Sequence, residues 1–378
     1  MDAGLTSVAR VPSANLGAMA LPLSLPNDPT YSTDARIAEV HADPGFGRFF
    51  TDHMVLATWT EGGGWHDGGV VGYGPLPLDP AGAVLHYGQE IFEGLKAYRH
   101  ADGSIWTFRP EANAARFQRS AARLALPQLP IEDFVASVVA LTRLDARWVP
   151  GEGEQSLYLR PFMIASEAFL GVRPTKTATY SVIASPVGAY FSGGVKPVDI
   201  WVTRDYSRAG VGGTGAAKCG GNYASSLAAQ EEAYAQGCSQ VLFLDTVEKR
   251  WIEELGGMNF MVVTSDGRLI TPELTGTILE GVTRASILEV AGDLGLKPEQ
   301  RPLSIDEVVE GARSGAFSEA FACGTAAVIT PIRALRSASD EVSWGDEPGE
   351  ATMRLRNHLL DIQYGRTADT RNWLTPIC

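Results

Sequence analysis

Thr214-Gly-Ala-Ala-Lys218-Cys-Gly-Gly-Asn-Tyr223 is the stretch on which the reading of this chain turns. Small residues on both sides let backbone and a bulky ligand approach the lysine closely. Tyr223-Ala-Ser-Ser-Leu-Ala-Ala-Gln-Glu-Glu-Ala follows, a good helix former, so a helix is expected over 222–236. Lys218 then lies on a tight loop just ahead of a helix. A lysine in a dry, partly apolar site loses its proton more readily than one in water. Once neutral, it can form a Schiff base with a carbonyl compound. A lone lysine near a helix start is most often an ordinary surface residue, so the case for chemistry rests on its companions.

Three further runs accompany it. Glu253-Glu254-Leu-Gly-Gly-Met-Asn259 places two acids side by side after an expected strand at 240–244. In an extended segment their side chains point to opposite faces, so one can turn inward. A carboxylate buried there needs a cationic partner or takes up a proton. Gly276-Thr-Ile-Leu-Glu-Gly281-Val-Thr-Arg-Ala-Ser-Ile-Leu-Glu289 opens an amphipathic helix, and its free N–H groups suit an anion such as a phosphate. Ala322-Cys-Gly-Thr325-Ala-Ala reads as a strand breaking at Gly324, where a hydroxyl and backbone N–H groups could meet an anion. Each run alone also fits a plain loop, a capped helix start or a strand end.

Gly210-Val-Gly-Gly-Thr-Gly215 matches G-x-G-x-x-G, with Glu231 and Glu232 downstream. The dinucleotide fingerprint requires a tight strand–turn–helix, so that pyrophosphate meets the helix N-terminus. Here Asp205–Ala209 separate the strand from the glycines, and Ala-Ala-Lys-Cys-Gly-Gly intervenes before the helix. A nicotinamide-dependent oxidoreductase is thus a remote alternative. A P-loop is excluded, because Ala217 stands where glycine should precede the lysine.

The 378 residues suggest two domains at roughly 100–200 residues each. With 45% hydrophobic and 20% charged residues the composition is that of a globular protein. A net charge of −13 argues against nucleic acid or an anionic membrane surface as partner. Cys219, Cys238, Cys323 and Cys378 form no C-x-x-C pair, which argues against a zinc site or a disulfide framework. A reducing, cytoplasmic compartment fits best. No apolar run approaches the ~20 residues that span a bilayer. Residues 16–25 resemble a short signal core, but Pro22 interrupts it, so this part reads as an extended, poorly ordered arm.

Strands are expected at 54–60, 66–73, 95–99, 105–108, 156–164 and 177–186, with helices at 85–92, from Pro110, and at 131–147. Pro186–Pro197 is Gly- and Pro-rich, lies at mid-chain and is the best candidate for an interdomain connection. Beyond it, strands are expected at 198–204, 240–244, 258–263, 317–322 and 326–334, and helices at 222–236, 281–295, 305–313 and 349–364. Asp340–Glu350 reads as a solvated loop. The pattern predicts two α/β (α+β) domains with mixed or antiparallel sheets. The divisions are an N-terminal arm at 1–44, a small domain at 45–187, an interdomain loop at 188–198 and a large ligand-binding domain at 199–378.

In order along the chain stand Phe50-Thr-Asp-His-Met, Leu85-His-Tyr-Gly-Gln-Glu-Ile-Phe-Glu-Gly-Leu-Lys-Ala-Tyr98, Phe108-Arg-Pro, Leu157-Tyr-Leu-Arg-Pro, Phe169-Leu-Gly-Val and Ser185-Pro-Val-Gly-Ala-Tyr-Phe. Lys218-Cys-Gly-Gly-Asn-Tyr, Glu254-Leu-Gly-Gly-Met-Asn, Gly281-Val-Thr-Arg, Gly324-Thr-Ala and Asp361-Ile-Gln-Tyr-Gly continue the series. Over about residues 45 to 366 the chain resembles the class IV (fold type IV) PLP-dependent aminotransferases, most closely the branched-chain amino-acid aminotransferases. The resemblance implies pyridoxal 5′-phosphate as cofactor. It implies transamination of Leu, Ile and Val with 2-oxoglutarate, in amino-acid biosynthesis. Lys218 would be the Schiff-base lysine and the proton carrier, Glu254 the partner of the pyridine nitrogen, and Tyr223 the partner of the ring's phenolic oxygen. Arg116, the N–H groups of Val282 and Thr283, and the Thr325 hydroxyl would hold the phosphate. Tyr87, Arg160 and the backbone at Thr325-Ala326 match carboxylate-binding positions, Arg160 serving the second carboxylate of glutamate. Phe50, Phe92, Tyr158, Tyr190 and Val172 match the apolar side-chain pocket. Val172 would come from a partner subunit, which implies a homodimer.

Two departures stand out. Ala327-Val-Ile-Thr330 replaces the C-x-x-C pair of some members, so thiol switching of that kind is not expected. Gly257 replaces a Thr found in others, and the hydroxyl contact is lost. A D-amino-acid aminotransferase or an aminodeoxychorismate lyase of the same fold remains the nearest alternative. A non-catalytic binding protein of this fold is disfavoured by the intact Lys218 and Glu254.

Overall fold

The computed structural model describes residues 21–189 and 194–378. The first half folds around β1 (His53–Thr60), β2 (Gly64–Gly72), β3 (Glu90–Phe92), β4 (Leu95–Arg99), β5 (Ile105–Phe108), β6 (Ser156–Ala165) and β7 (Thr177–Val187). Helices α1 (Asp34–Ala42), α2 (Ala83–Tyr87), α3 (Pro110–Arg123) and α4 (Ile131–Leu144) accompany them. The second half contains β8 (Val198–Val202), β9 (Gln240–Leu244), β10 (Ile252–Leu255), β11 (Asn259–Thr264), β12 (Arg268–Pro272), β13 (Lys297–Arg301), β14 (Phe317–Gly324), β15 (Val328–Arg336), β16 (Glu341–Ser343) and β17 (Leu374–Pro376). Its helices are α5 (Gly220–Ala224), α6 (Leu227–Ala235), α7 (Val282–Ala291), α8 (Ile305–Ser314) and α9 (Glu350–Gln363).

One sheet runs β17-β5-β4-β6-β7-β1-β2, with β3 against β6, and every pairing is antiparallel. Phe117, Phe134 and Tyr180 pack α3 and α4 onto it. The other sheet runs β10-β9-β8-β15-β14-β11-β12-β13 and is mixed, with parallel pairs β8–β9, β8–β15 and β12–β13. A single pair, Glu254 opposite Asn259, joins β10 to β11 and closes six of these strands into a ring. The α+β class and the mixed and antiparallel sheets agree with the sequence.

Several boundaries do not. The expected helix 85–92 ends at Gly88 in a left-handed turn (φ 58°), and residues 90–92 form strand β3. The helix 222–236 starts earlier and is broken. Ser225 Oγ donates to the carbonyls of Arg208 and Asn222, and Ser226 Oγ to that of Tyr223, so the serines satisfy the backbone locally between α5 and α6. The arm 1–44 holds the Thr33-capped helix α1, and Leu21 is fully buried. The acidic loop contains β16. Most consequentially, β17 pairs with β5, so residues assigned to 199–378 finish the first sheet.

Candidate active site

The lysine loop is held from three directions. Asn222 Nδ2 donates to the carbonyls of Thr214 and Ala217, both at 2.8 Å, folding the run back on α5. Gly215 must be glycine, because a Cβ there would lie 2.3 Å from the Thr277 carbonyl. The Lys218 N–H donates to Ser120 Oγ on α3, and its carbonyl accepts from Phe92 N on β3. The first sheet therefore clamps a loop of the second. The glycines of 210–215 form a turn with Gly213 N donating to Gly210 O, not a helix start.

Lys218 Nζ donates to Tyr223 Oη at 2.7 Å and lies 4.8 Å from the centroid of the Phe92 ring. Lys218 and Tyr223 share a cavity with Glu254, Arg116, Val282, Thr283, Thr325, Ala326, Phe92, Tyr158 and Arg160. Gly94, Gly257 and Gly281 complete parts of its wall. Glu254 and Glu253 do face opposite ways from β10: Glu254 lines this cavity, Glu253 another on the far side.

Glu254 is 2% exposed, and burial pushes its carboxyl up to about 7. Arg208 opposes that shift from 2.9 Å, as does the Leu279 N–H at 2.6 Å. Arg208 escaped sequence reasoning, since nothing local ties it to an acid 46 positions away. The same holds for Glu93. This fully buried carboxylate accepts from Arg116 Nε (2.7 Å) and Nη2 (2.8 Å) and from Asn113 Nδ2 (2.8 Å). Its Arg116 partner keeps Glu93 below the usual carboxylate range despite burial. Position 93 lies inside a run already singled out, yet no spacing pairs it with α3.

Arg116 Nη1 donates to the Glu280 carbonyl (3.0 Å), which brings the guanidinium to the mouth of α7. Gly281 caps that helix with no side-chain hydrogen bond. A Cβ at Gly281 would sit 2.0 Å from Asn259 Oδ1, so the close approach there requires glycine. A guanidinium and a helix mouth without a side-chain cap fit a phosphate.

Arg160 stacks between two rings, its guanidinium carbon 4.9 Å from the Phe92 centroid and 5.3 Å from that of Tyr158. Nη2 donates to Tyr158 Oη (3.2 Å), and Nε is buried without a partner. Three predicted residues are not brought to this cavity within the chain. Phe50 stacks on Tyr73 at 4.9 Å. Tyr87 is 45% exposed and donates to the Leu170 carbonyl, and Val172 is 85% exposed. Tyr190 lies outside the described residues. Gly257 faces the Tyr223 ring with room for an ordinary contact. No described helix is long and apolar enough to cross a membrane, and no described cluster of three or more His, Cys, Asp or Glu could hold a metal.

A lysine amine, a buried acid, a guanidinium and a helix mouth around one cavity suit an enzyme that works through a phosphorylated carbonyl cofactor. Residues 90–335 match the family described as amino-transferase class IV. The chain is 57% identical over 346 residues to a probable branched-chain-amino-acid aminotransferase of Streptomyces coelicolor, covering 90% of this chain and 95% of that one. It is 53% identical over 365 residues to the branched-chain-amino-acid aminotransferase of Mycolicibacterium smegmatis, covering 95% and 99%. The crystal structure of a T.th. branched-chain amino acid aminotransferase with pyridoxamine 5′-phosphate aligns with a TM-score of 0.72 at 28% identity, covering 85% and 98%. The chain belongs to the class IV aminotransferases. Within them it is a PLP-dependent branched-chain amino-acid aminotransferase.

Proposed function

We propose that the enzyme moves the amino group of Leu, Ile and Val to 2-oxoglutarate, giving branched 2-oxo acids and L-glutamate, as a cytoplasmic homodimer. The observation that carries the choice of acceptor is Arg160. It stacks on two aromatic rings at the cavity wall and has no carboxylate within ion-pair distance among the described residues. Such a guanidinium can pair with the second carboxylate of glutamate and lie against the rings when an apolar side chain takes its place.

Pyridoxal 5′-phosphate, when bound, supplies the electron sink that makes the proton on the substrate Cα removable. Lys218 would hold it through its side-chain amine. Lys218 Nζ would also take the substrate Cα proton as general base and return it as general acid. Tyr223, hydrogen-bonded to that nitrogen, orients it. Glu254, with Arg208 behind it, supplies negative charge for the pyridine nitrogen. Arg116, the N–H groups of Val282 and Thr283, and Thr325 take the phosphate. Tyr158 and Phe92 exclude water around the apolar side chain. Tyr87 donates to the Leu170 carbonyl, two residues before Val172, and both side chains are exposed. That placement supports their reaching the cavity of a second copy.

The test is Arg160→Ala. Losing a charge-assisted pair costs about 1.5–3 kcal/mol. Single-turnover kinetics on the cofactor-loaded protein should show the glutamate half-reaction weakened at least about tenfold, and the leucine half-reaction much less. Equal losses would assign Arg160 to the shared α-carboxylate or to the scaffold.

A further inference from the structure

Lys96 is a second cation on the cavity face of the first sheet. It stands on β4 directly opposite Tyr158 on β6, so the two side chains share a face, and Arg160 follows two residues along. Lys96 is 7% exposed. Burial pushes its amine down to about 8, partly opposed by Glu154 and reinforced by Arg356. A buried ammonium is expensive, and a methionine would fill the same space. Among the described residues its amine reaches across to the other half of the molecule: Nζ donates to the Ala326 carbonyl at 2.8 Å.

Ala326 lies in the turn Thr325–Ala327 between β14 and β15, whose last ladder pair is Gly324 with Val328. Val328 has φ 62°, a region that a β-branched residue enters only when its surroundings force it. The N–H groups of Thr325, Ala326 and Ala327 donate to no backbone carbonyl among the described residues. The Ala326–Ala327 peptide is trans, so its N–H points opposite to its carbonyl. Drawing the Ala326 carbonyl onto Lys96 therefore fixes which way this peptide presents its donor. It also fixes how far the turn stands from Tyr158 and Arg160.

We propose that Lys96 is a positioning residue for substrate carboxylates: it pins the 325–327 turn across the cavity so that its amides meet the α-carboxylate shared by every substrate. This rests on the proposed reading only in taking that turn as the carboxylate site. Arg160 would then discriminate the second carboxylate, and Lys96 would serve donor and acceptor alike.

The experiment compares Lys96→Met with Lys96→Arg and Lys96→Gln in the cofactor-loaded protein. The ligands are leucine, glutamate and the unreactive carboxylate 4-methylvalerate. Lys96→Met should keep the melting temperature and the visible spectrum of the bound cofactor. Its apparent affinity for all three ligands should fall about tenfold or more, with the single-turnover rate at saturation unchanged. Lys96→Arg should restore most of the affinity. Lys96→Gln, which keeps a donor without charge, should fall between, and it carries the test if the Met variant does not fold. Unaltered 4-methylvalerate binding in a folded Met or Gln variant would overturn the proposal. So would losses of melting temperature and cofactor binding that track the loss of affinity. A wild-type enzyme inert to glutamate would instead refute the choice of acceptor, leaving the 4-methylvalerate comparison intact.

Discussion

The two walls of the cavity are built differently. On the cofactor side, Lys218, Tyr223, Glu254, Val282 and Thr283 all line the cavity within one chain. They come from short runs punctuated by glycine, and buried partners such as Arg208 and Asn222 hold them. On the substrate side, Tyr158, Phe92 and Arg160 are in place, while Tyr87 and Val172 stand exposed and Phe50 packs on Tyr73. Chemistry that never changes is set in a pre-formed wall. On the proposed reading, recognition, which must accept an apolar side chain and then a carboxylate, is left to a wall that a single chain leaves open.

Attacking the fixed wall should have the largest effect. Lys218→Ala is expected to abolish transamination with the fold intact, as judged by circular dichroism and melting temperature. Borohydride reduction of the wild type followed by peptide mass spectrometry should place the pyridoxyl group on Lys218, and labelling of another lysine would break the assignment. Next comes Glu254→Gln. Loss of a preorganised charge costs about 10²–10³ in turnover, whereas cofactor affinity should change far less. Near-normal turnover would transfer the role to Glu253 or to nothing.

The open wall offers a cross-check. If Val172 enters the cavity of a second copy, Val172→Asp would place an unpaired charge in an apolar site and should weaken leucine turnover about tenfold or more. If Val172 serves the second copy's cavity, mixing this variant with Lys218→Ala should regain activity, because a hybrid dimer then has one intact site. Additive loss on mixing would place Val172 outside any cavity.

The smallest effect is on stability. The Glu254 carboxyl is raised from its ordinary range to about 7, chiefly by burial. A raised carboxyl contributes stability below its ordinary pKa, and that contribution is lost as pH rises through about 7. Cofactor-free protein should therefore lose melting temperature between about pH 4.5 and pH 7, and Glu254→Gln should flatten that slope.

What can be read from the amino acids follows the same division. Lys218, Glu254 and the Gly281 helix mouth are legible because each needs a local peculiarity: glycine where a Cβ would clash, or an acid inside an apolar strand. Arg208 and Glu93 are not, since their roles exist only once β10 meets the 208–217 loop and β3 meets α3. The helix breaks at Gly88 and at Ser225-Ser226 escape the sequence because apolar periodicity carries across them, while local hydrogen bonds decide the boundary. Motif alone places Tyr87 in the cavity, whereas within one chain its side chain stands exposed.

The pairing of β17 with β5 also bears on how the molecule is made. An edge strand of the sheet that begins at residue 53 is supplied by residues 374–376. That sheet therefore cannot finish during early synthesis, and it waits with an open edge while the other half assembles. Such long-range closure raises contact order and slows folding. Blocking or deleting the β17 segment should then depress refolding yield through a part of the chain far from it in sequence.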